Sequence, residues 1–145
     1  MNRRLTRTGN RIAVALYRRL DGRLSSGRKD VTILLITVPG RRTRLRRSTC
    51  VRFLQTPDGP VVWGTGSGST RDPDWFQNLR AADVADVQIG RERLRVQPRE
   101  LSGGARDALW TDTILSRAPE VSRYARKAGR TIPVAVLHPI DRLGD

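Results

Sequence analysis

The sequence contains a single cysteine and a single histidine, and this scarcity excludes several classes of protein. Cys50 cannot form a disulfide within the chain, which favours a reducing compartment such as the cytosol. One cysteine and one histidine cannot supply the ligands of a structural zinc site, so we predict no metal. No serine lies in a nucleophile-elbow motif, and the only histidine for a triad is His138, close to the end of the sequence. A hydrolase is therefore not favoured, and no catalytic residue is assigned.

Long apolar runs are also missing. The longest are Ile12–Leu16 and Val31–Val38, whereas a bilayer-spanning helix needs about 20 apolar residues. The first run is also too short for the core of a signal peptide. We therefore predict a soluble cytoplasmic protein, and the basic N-terminal segment leaves contact with the inner face of the membrane open.

Acidic residues are few, whereas arginine is abundant. The chain has 28 Lys+Arg against 14 Asp+Glu, a net charge of +14, and its only lysines are Lys29 and Lys127. This balance favours a polyanionic partner: nucleic acid, an anionic membrane, or a phosphorylated or polycarboxylate ligand. Aromatic residues make up 5% of the chain, too few for a platform that stacks single-stranded nucleic acid.

The length of 145 residues suits one main domain, and we place its boundary near residue 30. Residues 1–29 form a basic segment with an amphipathic helix from about Asn10 to Leu20, and residues 30–145 form the domain. The apolar stripe of this helix is Ile12, Leu16 and Leu20, and it is flanked by three arginines: Arg11, Arg18 and Arg19. The stripe either packs on the domain or lies on anionic lipid; the sequence leaves both open.

The hydrophobic pattern predicts an α+β fold that is mainly β. Asp72-Pro73 is expected to cap a helix, and further helices are predicted at about 101–117 and 120–127. About six mostly antiparallel strands favour closure into a barrel, which removes exposed edges. The predicted strands are Val31–Val38, Ser48–Leu54, Pro60–Thr65, Val84–Ile89, Glu92–Val96 and Thr131–Leu137.

Two loops between these elements are candidates for ligand binding. Arg41–Arg47 contains five arginines in seven residues, which repel one another unless an anion neutralises them. Fork-shaped guanidinium donors suit phosphate and carboxylate groups. Gly64–Gly68 contains only glycine, serine and threonine, so a flat or phosphorylated ligand can approach its backbone closely. The alternatives are a solvated basic turn and a flexible loop.

The order of these motifs resembles a known family. An apolar strand leads into Gly40-Arg41-Arg42-Thr43, then a Gly/Ser loop leads into residues 73–81, Pro-Asp-Trp-Phe-Gln-Asn-Leu-Arg-Ala, and Tyr124 and Arg130-Thr131-Ile132-Pro133-Val134 come later. This pattern, over about residues 30–140, resembles the deazaflavin-dependent nitroreductases of actinobacteria and the related F420H2-dependent quinone reductases. The resemblance implies a split β-barrel of the type that binds flavins.

The resemblance also implies a cofactor, coenzyme F420, whose phosphate and oligoglutamate tail form a polyanion. FMN is less favoured, because the arginine loop suits a tail with several carboxylates. A small organic acceptor such as a quinone or a nitro compound would take a hydride from the reduced cofactor. The implied cofactor-binding residues are Arg41, Arg42, Thr43 and Arg47 for the phosphate and tail, Thr65, Gly66 and Ser67 along the deazaflavin, and Trp75 and Asn78 on the adjacent helix.

The sequence departs from the family pattern at several positions. Arg44 stands where the motif has its second glycine, and Arg46 where it has proline. Arg52 replaces a tyrosine at the implied substrate pocket, which also includes Tyr124, and Val121 stands where aromatics are frequent. Two alternatives therefore stay open: a cofactor-binding relative without reductase activity, and a basic small barrel that binds nucleic acid. Nucleic acid is the less favoured partner, and a homodimer is left open.

Overall fold

The computed structural model describes residues 10–15, 17–18 and 32–144 of the chain. Within them, seven strands form one sheet in the order β2-β1-β5-β6-β7-β4-β3, and every neighbouring pair is antiparallel. The strands are β1 (Ile33–Pro39), β2 (Arg46–Arg52), β3 (Leu54–Thr56), β4 (Gly59–Trp63), β5 (Ala85–Ile89), β6 (Glu92–Leu101) and β7 (Val134–Arg142).

The two edges of this sheet are consecutive in sequence. Only Phe53 separates β2 from β3, so one bent segment forms both edges and the sheet curls into a split barrel. The Phe53 ring is buried, and its N–H donates to the Thr32 carbonyl at 3.1 Å. The mainly β barrel predicted from the sequence is confirmed. The predicted single strand Ser48–Leu54 is wrong in detail, because the bend at Phe53 divides it and raises the strand number to seven.

The helices lie outside the barrel. The N-terminal helix, α1, is helical at residues 10–15 and 17–18; α2 is Asp74–Ala81, and α3 is Gly103–Ala108, continued by π-helical Leu109–Leu115. The last helix, α4, is Val121–Ala128. No helix in the described part of the chain combines the length and apolar character needed to cross a bilayer.

The apolar run of β1 is buried on both faces, as predicted. Leu34, Ile36 and Val38 point into the barrel interior, and Leu35 packs on the opposite face beneath α1. A separate cluster covers the outer face of β4 and β7 with residues of the π-helical segment and α4. Its fully buried members are Val61, Ile114, Ala118, Val121, Ile132 and Val134.

Helix α1 packs on the barrel with a different face from the predicted one. Val14 and Tyr17 are buried, and the Tyr17 hydroxyl lies 2.9 Å from the Ile33 carbonyl and 2.8 Å from the Gln88 carbonyl. Ile12 of the predicted stripe is 57% exposed. The face of α1 that packs on the barrel carries Val14 and Tyr17, and Ile12 lies on another face of the helix. Leu16 and Leu20 lie outside the described residues. The division into 1–29 and 30–145 stays a prediction, since most of the first segment also lies outside them.

Candidate functional site

The arginine loop is a closed turn between β1 and β2. The Gly40 N–H donates to the Leu45 carbonyl at 2.8 Å, and the Arg44 N–H donates to the Gly40 carbonyl at 2.8 Å. This closure places Arg44 at φ +64°, the left-handed conformation in which glycine is favoured. A Cβ at Gly40 would lie 2.8 Å from the Thr43 hydroxyl and 3.3 Å from Arg47 Nε. Thr43 and Arg47 therefore converge over Gly40, where a larger residue would require their side chains to move.

Arg41 fastens this loop to helix α2. The Asn78 side-chain oxygen accepts from both the Arg41 backbone N–H, at 3.1 Å, and the guanidinium, at 2.8 Å. A second guanidinium nitrogen donates to Asp74 at 3.2 Å. Asn78 is buried, so its oxygen is a fixed anchor. Both Arg41 and Asn78 are predicted cofactor residues, and the structure brings them together as partners of each other.

Three other arginines of the loop carry the free positive charge. Arg42, Arg44 and Arg47 are exposed, and no ion pair joins any of them to a residue that the structure describes. Arg46 differs, because it donates to Asp86 at 2.7 Å. Burial alone would raise the pKa of Asp86, but hydrogen bonds from Arg46 and Arg95 lower it. Within the described part of the chain, the loop therefore presents to solvent three guanidinium groups without an acidic partner.

The glycine-rich loop follows β4 and has an unusual backbone. Gly66, Ser67 and Gly68 all have positive φ, at 54°, 55° and 86°. A Cβ at Gly68 would lie 2.6–3.0 Å from the side-chain carbons of Lys127 on α4. Gly66 and Ser67 are exposed and Thr65 is half-buried, so the outer surface of this loop consists of small groups. Such a surface suits the close approach of a flat ligand.

Arg130 holds the inner side of the same loop. Its guanidinium donates to the carbonyls of Gly64, Thr65, Ser69 and Arg71 and to the Asp72 carboxylate. Sequence reasoning assigned this residue no role, although Arg130 opens the Arg-Thr-Ile-Pro-Val motif that carries the family resemblance. The predicted cap of α2 by Asp72 is wrong: the N-cap is Pro73, without a side-chain cap, because the Asp72 carboxylate binds Arg130 and Arg80 instead.

The predicted acceptor residues both lie at helix α4. Arg52 donates to Glu120 at 2.8 Å, and its guanidinium lies 5.8 Å from the centroid of the Trp63 ring. The backbone hydrogen bond of Glu120 itself and the one from Arg52 lower the pKa of Glu120. Tyr124 follows Glu120 by one helical turn, and its side chain is 44% exposed. Arg52 and Tyr124 thus both lie at α4, whose Lys127 lies against Gly68 of the glycine-rich loop.

Trp75 lies in the first turn of α2, two residues after Pro73, which lies against Gly64 and Gly66 of the glycine-rich loop. Its ring is half-buried and meets the Phe76 ring edge-on, with 5.4 Å between centroids. The neighbouring Asp74 binds Arg41. Helix α2 therefore connects the arginine loop, through Arg41, with the segment that leads out of the glycine-rich loop.

A cleft of about 470 Å³ lies elsewhere, between the outer face of the sheet and the helical segment 103–115. Its polar lining mixes Arg99 and His138 with Asp58 and Asp112, and it contains none of the predicted site residues. The cofactor residues predicted from the sequence lie at the two loops and on helix α2, and not in this cleft. Among the described residues, no three His, Cys, Asp and Glu side chains come together as metal ligands would.

The residues of the two loops fit a cofactor with a flat ring and a polyanionic tail. Exposed Arg42, Arg44 and Arg47 offer charge-assisted hydrogen bonds to phosphate and carboxylate oxygens. The small surface at Gly66 and Ser67 leaves room for a ring. Both features are required for coenzyme F420, whereas the single phosphate of FMN would use only part of the arginine loop.

Comparisons with known proteins agree with this geometry. A family model described as F420H(2)-dependent quinone reductase matches residues 9–139. An F420H(2)-dependent quinone reductase of Mycobacterium tuberculosis is 26% identical over 130 residues, which cover 88% of this chain and 87% of that protein. A solved F420-H2-dependent reductase, FDR-A, has a TM-score of 0.65 at 25% identity, and the match covers 74% of this chain and 94% of that one. A domain-swapped dimer with a TM-score of 0.66 at 22% identity, covering 87% and 96%, supports the fold alone.

Proposed function

The chain belongs to the F420H(2)-dependent quinone reductase family, and on that premise we propose how its two loops bind the cofactor and present it to an acceptor. As a member of this family it is an F420-dependent oxidoreductase that acts on a small organic molecule. Reduced F420, when bound, supplies the hydride; the protein supplies binding, orientation and exclusion of water.

The observation that carries the proposal is the exposed positive charge of the arginine loop, three of whose guanidinium groups have no acidic partner among the residues that the structure describes. Arg42, Arg44 and Arg47 are exposed and close together in sequence, and Arg41 is fixed to Asn78. In our proposal the free guanidinium groups hold the phosphate and the oligoglutamate tail, and the Thr43 hydroxyl donates to the phosphate. Arg41 acts mainly by holding the loop in place.

The glycine-rich loop and helix α2 are proposed to receive the ring end of the cofactor. Thr65, Gly66 and Ser67 form a floor of small groups, and Trp75 forms a wall where α2 begins. The N–H groups of Gly68 and Ser69 are already used within the loop, at 3.0 and 3.1 Å. Hydrogen bonding to a ring would therefore fall to the groups at the exposed tip of the loop.

We assign the acceptor side to Arg52 and Tyr124. Tyr124 exposes a hydroxyl that can donate to a quinone or nitro oxygen as the acceptor gains electron density. Arg52 lies over Trp63 and is fixed by Glu120, which also compensates its charge. In our proposal Arg52 therefore acts as a fixed hydrogen-bond donor beside the acceptor and not as a source of free positive charge.

A binding titration tests the cofactor proposal. Fluorescence titrations with F420 and with FMN, each at low and at high salt, should show tighter binding of F420 and a loss of F420 affinity as salt screens the exposed charges. FMN should bind more weakly and depend less on salt, because it has fewer anionic groups. Micromolar FMN binding without F420 binding would contradict the proposal, and tight duplex DNA binding without F420 binding would favour the nucleic-acid alternative.

We also propose a weak contact with anionic membrane through the solvent side of α1. Arg11 and Ile12 are both exposed there, and each basic residue near an anionic surface contributes about 1 kcal/mol. Sedimentation with anionic vesicles should decrease for an Arg11→Glu, Ile12→Asn variant, whereas neutral vesicles should bind neither protein. Equal sedimentation of the two proteins with anionic vesicles would exclude this surface. A homodimer stays a prediction that light scattering can test.

A further inference from the structure

Arg130 has the densest set of hydrogen bonds in the described part of the chain, and all of its acceptors lie in or directly after the glycine-rich loop. We propose that Arg130 is a positioning residue that sets the conformation of this loop and thereby the affinity for F420. The inference rests on the proposed function, since it assumes that the loop receives the cofactor.

The contacts show how one side chain can shape a whole loop. Arg130 Nε donates to the Ser69 carbonyl at 3.1 Å, and Nη2 lies 3.0, 3.3 and 3.0 Å from the carbonyls of Gly64, Thr65 and Arg71. These carbonyls come from both ends of the loop, so the guanidinium joins its entry to its exit. The carbonyl oxygens of the loop at these positions point toward Arg130. The outer surface of the loop, which consists of small groups, stays accessible to a ligand.

The guanidinium is itself held in position. Its Nη1 donates to Asp72 at 2.6 Å, and Asp72 also accepts from Arg80 at 2.9 Å. Arg80 continues to Glu100 on β6 at 2.6 Å. The side chain of Arg130 is only 16% exposed, so its own charge-assisted bond to Asp72 is poorly screened. The loop is thereby connected to the barrel wall through alternating charges.

The backbone of the loop needs this support. Ser67 has φ +55°, a conformation that costs a non-glycine residue free energy and persists only where surrounding structure enforces it. Lys127 covers Gly68 from one side, and Arg130 holds the carbonyls from the other. A lysine could not replace Arg130, because an ammonium group lacks the planar fork that reaches acceptors in several directions.

The test uses Arg130→Gln and Arg130→Lys, with Arg106→Gln as the matched control. Arg106 also donates two hydrogen bonds to one backbone carbonyl, that of Ile132, but it anchors α3 rather than the loop. Amide hydrogen exchange is measured on the cofactor-free proteins, at the amides of Gly68 and Ser69, and the F420 dissociation constant is measured by titration. A KM-against-kcat comparison with reduced F420 follows.

Both Arg130 variants should exchange the two loop amides at least about tenfold faster than the unmodified protein. Their F420 dissociation constants should rise about ten- to a hundredfold, the usual scale for loss of charged hydrogen bonds. KM for reduced F420 should rise more than kcat falls. Arg106→Gln should lower the melting temperature and leave loop exchange and F420 affinity within about twofold.

The outcomes separate this inference from the proposed function. If the unmodified protein does not bind F420, the proposed function fails. If it binds, and folded Arg130→Gln binds as tightly with equally protected loop amides, the positioning role is overturned. If neither Arg130 variant folds, Asp72→Asn, which removes one partner of the guanidinium, must show the same two changes in smaller degree; normal exchange and affinity in that variant would overturn the inference.

Discussion

Replacing Arg44 with glycine should stabilise the folded protein and lower its affinity for the cofactor. Arg44 adopts φ +64°, because the Arg44 N–H must reach the Gly40 carbonyl for the loop to close. The related sequence motif has glycine at this position. Arginine therefore adds an exposed positive charge at the cost of backbone strain, and the two effects can be measured separately.

The magnitude follows from two opposing terms. A left-handed conformation costs an L-residue roughly 1–2 kcal/mol, whereas glycine gains about 0.4–1 kcal/mol of extra freedom in the unfolded chain. Arg44→Gly should thus raise the free energy of unfolding by about 0.5–1 kcal/mol, or the melting temperature by about 1–4 °C. Urea unfolding followed by tryptophan fluorescence measures the first quantity, and scanning calorimetry the second.

Two controls separate strain from charge. Arg44→Ala removes the charge but keeps a Cβ, so it should not be stabilised. Arg42→Gly makes the same change in the same loop at a residue without positive φ, and it should be destabilised by about 0.5–1 kcal/mol. The reasoning is refuted if Arg44→Gly is no more stable than Arg44→Ala, or if Arg42→Gly gains as much as Arg44→Gly.

Three further predictions concern binding, packing and pH. Arg42→Ala should weaken F420 binding by about 1.5–3 kcal/mol, measured by titration. Arg142→Ala should not, because the charge of Arg142 is already paired with Glu92. Tyr17→Phe should lower the free energy of unfolding by about 1–3 kcal/mol, because it removes the hydroxyl that binds the Gln88 carbonyl and the Gly90 N–H; an unchanged urea midpoint would contradict this. Burial raises the pKa of Tyr17 from 10.0 to about 12, so the folded state binds the hydroxyl proton more tightly than the unfolded state does. The resulting contribution to the free energy of unfolding should be complete below pH 10 and lost as the pH rises toward 12. This pH-dependent loss should be absent in Tyr17→Phe.

Much of the barrel could be predicted because its strands have clear patterns. The run Val31–Val38 is apolar on both faces, and the structure buries both faces of β1, one in the barrel and one beneath α1. The break at Phe53 could not be predicted, because the alternation of side chains continues through it. What bends the chain there is the pairing of β2 and β3 with opposite ends of the sheet.

The candidate site was only partly accessible from sequence. Composition and spacing located both loops, since runs of arginine and of glycine are visible without a structure. Which arginines of the loop are paired and which are exposed depends on tertiary contacts. Arg41 donates a hydrogen bond to Asn78, Arg46 forms an ion pair with Asp86, and Arg42 is exposed. Arg130 was missed because its acceptors are backbone carbonyls about sixty residues earlier in the chain, and carbonyls leave no sequence signal.

The central claim is that this chain passes a hydride from reduced F420 to a small organic acceptor. Reduced F420 and the protein are mixed anaerobically with a soluble quinone, and recovery of the fluorescence of oxidised F420 is followed together with quinol formation. The account predicts protein-dependent recovery, equimolar with quinol and slowed at high salt. Binding of F420 without protein-dependent oxidation by any quinone or nitro compound would contradict it, and would leave a cofactor-binding protein without reductase activity.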